Sequence, residues 1–151
     1  MKKLILPALL GIAAICMAPA QAASLAPAPF NVNVTLTSAC QLTTAPGNIA
    51  LSYTSLGGAS SATTSFAVKC TDGLAYTFAL DANNADTLGL TIPLVLRDSG
   101  DANTVTGGTQ SGASATTYLI KASVTAGQQG TCATSPAACT SSVGRTLTVS
   151  Y

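Results

Sequence analysis

Beyond residue 22 the apolar residues of this chain recur with a period of two, in short runs separated by turn residues. In "PFNVNVTLTSAC", residues 29–40, Phe30, Val32, Val34 and Leu36 share one parity while Asn31, Asn33, Thr35 and Thr37 hold the other. Successive side chains of a strand point to opposite faces, so this spacing specifies half-buried β-strands and offers no stripe for an amphipathic helix. The same alternation aligns Ile49, Leu51 and Tyr53; Phe66, Val68 and Cys70; and Tyr76, Phe78 and Leu80. It returns at Ile92, Leu94 and Leu96, at Tyr118, Ile120, Ala122 and Val124, and at Leu147, Val149 and Tyr151. Pro93 sits on the opposite parity of its run, which predicts an edge strand or a bulge. "TDG", "DANNAD", "DSGDAN", "GGTQSG" and "AGQQG" supply turn chemistry between the runs. Short strands at turn-bounded intervals predict an all-β sandwich.

The first 22 residues follow a different rule. Lys2 and Lys3 precede an apolar run from Leu4 to Met17, and Ala20-Gln21-Ala22 fits a small-x-small cleavage site. This is the pattern of a secretory signal peptide, too short and too early for a permanent membrane anchor. Ile15 stands before Cys16 where a lipoprotein signal wants a small residue. Cleavage after Ala22 leaves 129 of the 151 residues, the size of one domain.

The remaining chain carries little charge. Lys69, Arg97, Lys121 and Arg145 oppose five aspartates, Asp72, Asp81, Asp86, Asp98 and Asp101, for a net of −1. No basic patch points to nucleic acid. A surface rich in Ala, Thr, Ser and Gly suits either an ordinary secreted β-domain or a protein whose surface is covered by copies of itself.

Four cysteines remain, Cys40, Cys70, Cys132 and Cys139. An even number in an exported chain implies disulfides, and four allow three pairings. Cys40 continues the parity of Val34 and Leu36, and Cys70 that of Phe66 and Val68, so both are expected to point inward. Parity therefore favours Cys40–Cys70, joining the first two strands, and Cys132–Cys139 then closes a short loop around "ATSPAA". Neither pair has the C-x₂₋₄-C spacing of a structural zinc site, so no metal is expected.

No catalytic constellation is apparent. The chain has no His, which removes Ser-His and Cys-His nucleophiles. Its carboxylates lie in turn-like segments, where Asp is expected to bond the local backbone. Asp81 and Asp86 could form a glycosidase pair only against that expectation. "DANNAD" lacks the Gly and Glu of a calcium loop. Asn33-Val34-Thr35 fits the glycosylation pattern, read as coincidence beside a bacterial-looking signal peptide. The expectation is a non-enzyme without cofactors.

Taken together, an alternating N-terminal arm, a "TSAC" expected to end the first strand, the block "AVKCTDGLAYTFALD" and a closing "TLTVSY" resemble a chaperone–usher pilus subunit. The resemblance is closest to the archaic, spore coat protein U type of fimbrial subunit. It covers most of the chain beyond the signal peptide; Cys132 and Cys139 are an addition to the simplest family pattern, and "LRDSGDANTVTGGTQSG" has no clear counterpart.

The resemblance implies an incomplete immunoglobulin-like β-sandwich whose seventh strand is missing. A periplasmic chaperone and then, at an outer-membrane usher, the arm of a neighbouring pilin subunit would fill the open groove by strand addition. Residues 1–22 would be the signal peptide, 23–34 the donor-strand extension and 35–151 the pilin-type domain. Ala26, Ala28, Phe30, Val32 and Val34 would be the donor side chains, with Leu36 to Cys40 in the subunit's own first strand. Leu147, Val149 and Tyr151 would line the groove and meet the chaperone. Such a subunit would be exported to a surface fimbrium serving adhesion and biofilm formation. The competing readings are a secreted binding module, whether fimbrial adhesin or carbohydrate-binding sandwich, and a coat protein of the spore coat U type.

Overall fold

The computed structural model describes residues 28–81, 84–133 and 138–151. The signal-peptide reading and Ala26 lie outside these residues. The chain divides into two units, 1–35 and 36–151. In the first, residues 28–35 are exposed and form no strand.

The second unit is all-β. Its strands are β1 (Cys40–Thr44), β2 (Ser60–Cys70), β3 (Ala75–Leu80), β4 (Leu94–Asp98), β5 (Gly107–Thr109), β6 (Thr116–Val124) and β7 (Leu147–Ser150). They form a four-stranded sheet of order β1-β2-β6-β4 and a three-stranded sheet of order β5-β3-β7, and every ladder is antiparallel. The central ladder runs from Ser60↔Val124 to Val68↔Thr116. Pro93 immediately precedes β4, an edge strand, where a missing N–H leaves no ladder bond unmade.

The parities that defined the strands also define the core. Phe66, Val68 and Cys70 of β2, Tyr118 and Ile120 of β6, Leu96 of β4, and Tyr76 and Phe78 of β3 are buried together. Phe78 packs edge-on against Phe66 and Tyr118, with ring centroids 5.2 and 4.8 Å apart. Fully burying each such side chain stabilises the fold by about 1.5–3 kcal/mol. The Tyr76 and Tyr118 hydroxyls meet at 2.8 Å, which satisfies two polar tips inside the core. Burial, followed by this hydrogen bond, pushes the Tyr118 phenol above its ordinary value.

Among the described residues Gln110 is the one buried polar side chain, 2% exposed. Its Oε1 accepts from Cys70 N at 3.1 Å, and its Nε2 donates to Gly112 O and Ser114 O at 3.0 and 2.7 Å. Asp101 joins β4 to β6, accepting from Arg97 Nε at 2.9 Å and Lys121 Nζ at 2.6 Å.

Both disulfides are present, Cys40–Cys70 and Cys132–Cys139. Cys40 and Cys70 are direct ladder partners, with Cα atoms 4.0 Å apart. Two disulfides indicate an oxidising, extracytoplasmic environment.

Three expectations are corrected. The first strand begins at Cys40, not Leu36; Leu36 is 79% exposed and belongs to no ladder. Cys40 thus turns inward because Cys70 pairs with it, whereas Val34 and Leu36 of the same parity remain in solvent. Residues 49–53 keep their alternation but form no strand, because among the described residues no strand lies beside them to complete a ladder. "GGTQSG" was expected to be only a turn, yet Gly107–Thr109 is β5. A Cβ on Gly108 would lie 2.7 Å from the Tyr118 hydroxyl and 3.0 Å from that of Tyr76, so the glycine is required by the tyrosine pair it covers.

Candidate functional site

A groove of about 780 Å³ opens within the second unit. One wall is the segment from Pro46 to Tyr53. Ile49, Leu51 and Tyr53 are half-buried there while Asn48, Ala50 and Ser52 are exposed. A second stretch of the lining is the segment from Cys139 to Leu147. Here burial alternates again, with Ser141, Val143, Arg145 and Leu147 half-buried and their neighbours exposed. Ile120 and Ala122 of β6, Leu80 of β3 and Leu94 of β4 contribute the floor, and Leu88, Leu90 and Ile92 line it further.

Both walls alternate in burial, yet among the described residues neither 46–53 nor 140–146 belongs to a strand. Among the described residues no strand pairs with residues 46–53. Among the described residues β7 pairs with β3 alone and is an edge strand of its sheet. Apolar side chains alternating beside unpaired backbone groups are what a sheet edge offers to an added strand.

Side-chain anchors hold the second wall where β3 has ended. The Asp81 carboxylate accepts from Thr146 N at 2.6 Å and forms an ion pair with Arg145 at 3.5 Å. Arg145 Nη2 also donates to Ala85 O at 3.3 Å. The Thr87 and Ser141 hydroxyls meet at 2.7 Å, and the Cys132–Cys139 disulfide fixes the start of the segment.

Gln128 ties together the segments around the groove. Its Oε1 accepts from Thr91 N at 2.7 Å and its Nε2 donates to Thr91 O at 3.1 Å, as a strand neighbour would. Its backbone carbonyl accepts from Tyr53 Oη at 3.1 Å and Leu56 N at 2.8 Å.

The expected site residues fall into three groups. Leu147 lines the groove, and Val149 packs on the core beside it. Tyr151, expected on the same face, is 65% exposed and lies past the end of β7 at Ser150, where no ladder orients it. Ala28, Phe30, Val32 and Val34 are exposed, the last three at 84%, 74% and 83%. Asp81 and Asp86 are engaged in backbone hydrogen bonds: Asp86 Oδ1 accepts from Leu88 N and Leu90 N at 3.0 and 2.8 Å. Sequence reasoning missed the groove roles of Val143, Arg145, Leu88, Leu90 and Gln128. The regular spacing of Val143, Arg145, Leu147 and Val149 was the available signal, interrupted by a charge at Arg145. Among the described residues no group of three or more His, Cys, Asp or Glu is placed to hold a metal ion.

No family model matches the chain, and neither a curated protein nor a solved structure is significantly similar to it.

Proposed function

We propose that this chain is a structural subunit of a surface fibre of the chaperone–usher type, joined to its neighbours by strand exchange. The observation that carries the reading is the pairing of two incomplete features. The groove lining runs into β7 at Leu147, an edge strand of its sheet, and Phe30, Val32 and Val34 form an exposed apolar alternation without a ladder among the described residues. Seating residues 24–34 of one copy in the groove of the next buries the apolar face of the first and pairs the edge of the second. The contact is heterologous and does not close on itself, so it builds a filament.

Two further points support it. The order β1-β2-β6-β4 is consistent with strands A-B-E-D of an immunoglobulin constant-type sandwich, and the β3-β7 pair of the sheet β5-β3-β7 with C-F, β5 being an addition on the far edge of β3. In that scheme the seventh strand, G, would lie against β7, where the edge is open. The lengths also agree. Ala26 to Val34 and Cys139 to Leu147 each cover eight residue steps, about 26 Å of fully extended chain at roughly 3.3 Å per residue.

In this reading a periplasmic chaperone protects the groove before assembly and an outer-membrane usher is the site of exchange, leaving the polymer at the cell surface. Burying Phe30, Val32 and Val34 contributes roughly 5–9 kcal/mol before ordering costs. The test is a pair of substitutions. Val32→Asp places a charge in the dry groove and is expected to abolish polymer formation while leaving the sandwich folded. Asn33→Asp, on the solvent parity, is expected to polymerise normally. Equal polymerisation of both variants would refute the reading.

A further inference from the structure

The loop "AGQQG", residues 126–130, follows β6 and bonds to two separate segments of the groove lining. Toward the first, Gly127 N donates to Gly57 O at 3.0 Å. Gln128 O accepts from Leu56 N at 2.8 Å and from the hydroxyl of Tyr53, a groove residue. Toward the second, Thr131 N donates to Leu88 O at 2.6 Å. A Cβ on Gly130, which has φ +64°, would stand 3.1 Å from Leu90 Cδ2, so the loop lies close against the Leu88–Leu90 part of the lining.

The Gln128 side chain meets an edge that is open for a definite reason. Asp86 N donates to Leu90 O, Ile92 N donates to Asn84 O, and Ala85 bridges Thr91 between them. Ladder bonds alternate along an antiparallel pair, so Thr91 turns its own N–H and C=O away from Ala85. The Gln128 amide takes both, accepting from Thr91 N at 2.7 Å and donating to Thr91 O at 3.1 Å. A further bond to Thr125 Oγ1 at 3.0 Å orients that amide.

The other segment is held under strain. Leu56 has φ +61°, a conformation that a bulky side chain adopts only where its surroundings impose it. Its N–H is bonded to Gln128 O, Gly57 N closes the turn on Thr54 O at 2.8 Å, and Ser55 Oγ donates to Gln129 O. Strained residues of this kind cluster at ligand clamps.

We propose that Gln128 is a positioning residue of the groove. Through its carbonyl and its amide together it sets the separation of Tyr53 from the Leu88–Ile92 lining, and so the fit of an added strand at that end. The proposal rests on the strand-exchange reading and adds to it a residue that shapes the acceptor.

The experiment titrates dye-labelled peptides of residues 24–36 with protein lacking residues 1–22, followed by fluorescence anisotropy. The peptides are the wild-type sequence and its Phe30→Ala, Val32→Ala and Val34→Ala forms. Gln128→Met keeps the side-chain length and removes the bonds to Thr91. It is expected to bind the wild-type peptide roughly threefold more weakly or worse, the scale of one or two lost hydrogen bonds. The penalty for alanine at one end of the series, Phe30 or Val34, is expected to shrink while the other two penalties stay as in the wild type. Gln110→Leu, a core change outside the groove lining, is the control and is expected to keep all three. Affinities are taken on the folded fraction, so loss of stability alone scales every peptide equally. Wild-type affinity in Gln128→Met would overturn the proposal, as would uniformly weaker binding with all three penalties unchanged. Capture of no peptide by the wild-type protein would refute the strand-exchange reading itself, and the proposal with it.

Discussion

Asp81 and Thr146 are bonded twice: Asp81 N donates to Thr146 O at 3.1 Å, and the Asp81 carboxylate accepts from Thr146 N at 2.6 Å. The side chain thus replaces the next rung of the β3–β7 ladder at the point where the groove wall begins. Asp81→Ala is expected to destabilise the protein by about 1.5–3 kcal/mol, the range for a hydrogen bond to a charged group. Asp81→Asn keeps an acceptor for Thr146 N and is expected to lose less. Urea denaturation of both variants would check the order, and equal losses would show that the bond to Thr146 is not the important one.

Gln110 occupies a position where no apolar residue can substitute without loss. Its side chain satisfies Cys70 N and the carbonyls of Gly112 and Ser114. Gln110→Leu fills the space but orphans those groups, at about 1–3 kcal/mol for each that water cannot reach. The expected loss is about 2–5 kcal/mol, read as a lower urea midpoint at unchanged slope.

The two disulfides differ in the length of chain they close. Cys40 and Cys70 are separated by 30 residues and Cys132 and Cys139 by 7. The chain-entropy model gives about 3.5 kcal/mol for the first and about 2.5 kcal/mol for the second. Paired Cys→Ser variants, compared by thermal unfolding, are expected to rank in that order. Because Cys139 borders the groove, the second pair is further expected to weaken peptide capture more than its stability loss suggests.

Acid stability is expected to depend on Asp101. Hydrogen bonds from Lys121 and then Arg97 hold its carboxyl below the ordinary value of 3.8. A carboxyl depressed in the folded state contributes stability that is present above its unfolded value and is lost as pH falls through the folded one. The wild-type melting temperature is therefore expected to fall as pH drops below about 4. Asp101→Asn should flatten that fall while lowering stability at neutral pH. An unchanged slope between pH 4 and 2 would remove Asp101 as the cause. Asp98, lowered chiefly by its bond from Asn103, contributes in the same direction.

Much of the sandwich was legible because alternation and pairing coincide in β2, β3, β4 and β6, where each apolar face meets another. Alternation alone does not make a strand. Ile49, Leu51 and Tyr53 carry the pattern without a ladder, because a ladder depends on a neighbour elsewhere in the chain or in another copy. The opposite failure is β5, where glycines that suggest a turn are demanded by two distant tyrosines. Tyr151 carried the parity of Leu147 and Val149 but lies past the last rung that holds it. The groove was legible only as two unmatched features at the ends of the chain. Its side-chain anchors, Asp81–Arg145 and Thr87–Ser141, join residues more than fifty positions apart, and no local pattern announces them.

The proposed strand exchange requires residues 24–32 for association and not for the sandwich. The direct measurement is electrophoresis in SDS without boiling, on purified wild-type protein and on a variant lacking residues 24–32. A ladder of SDS-resistant polymers from the wild type, with only folded monomer from the deletion variant, is the predicted result. An undiminished ladder from the deletion variant would contradict strand exchange.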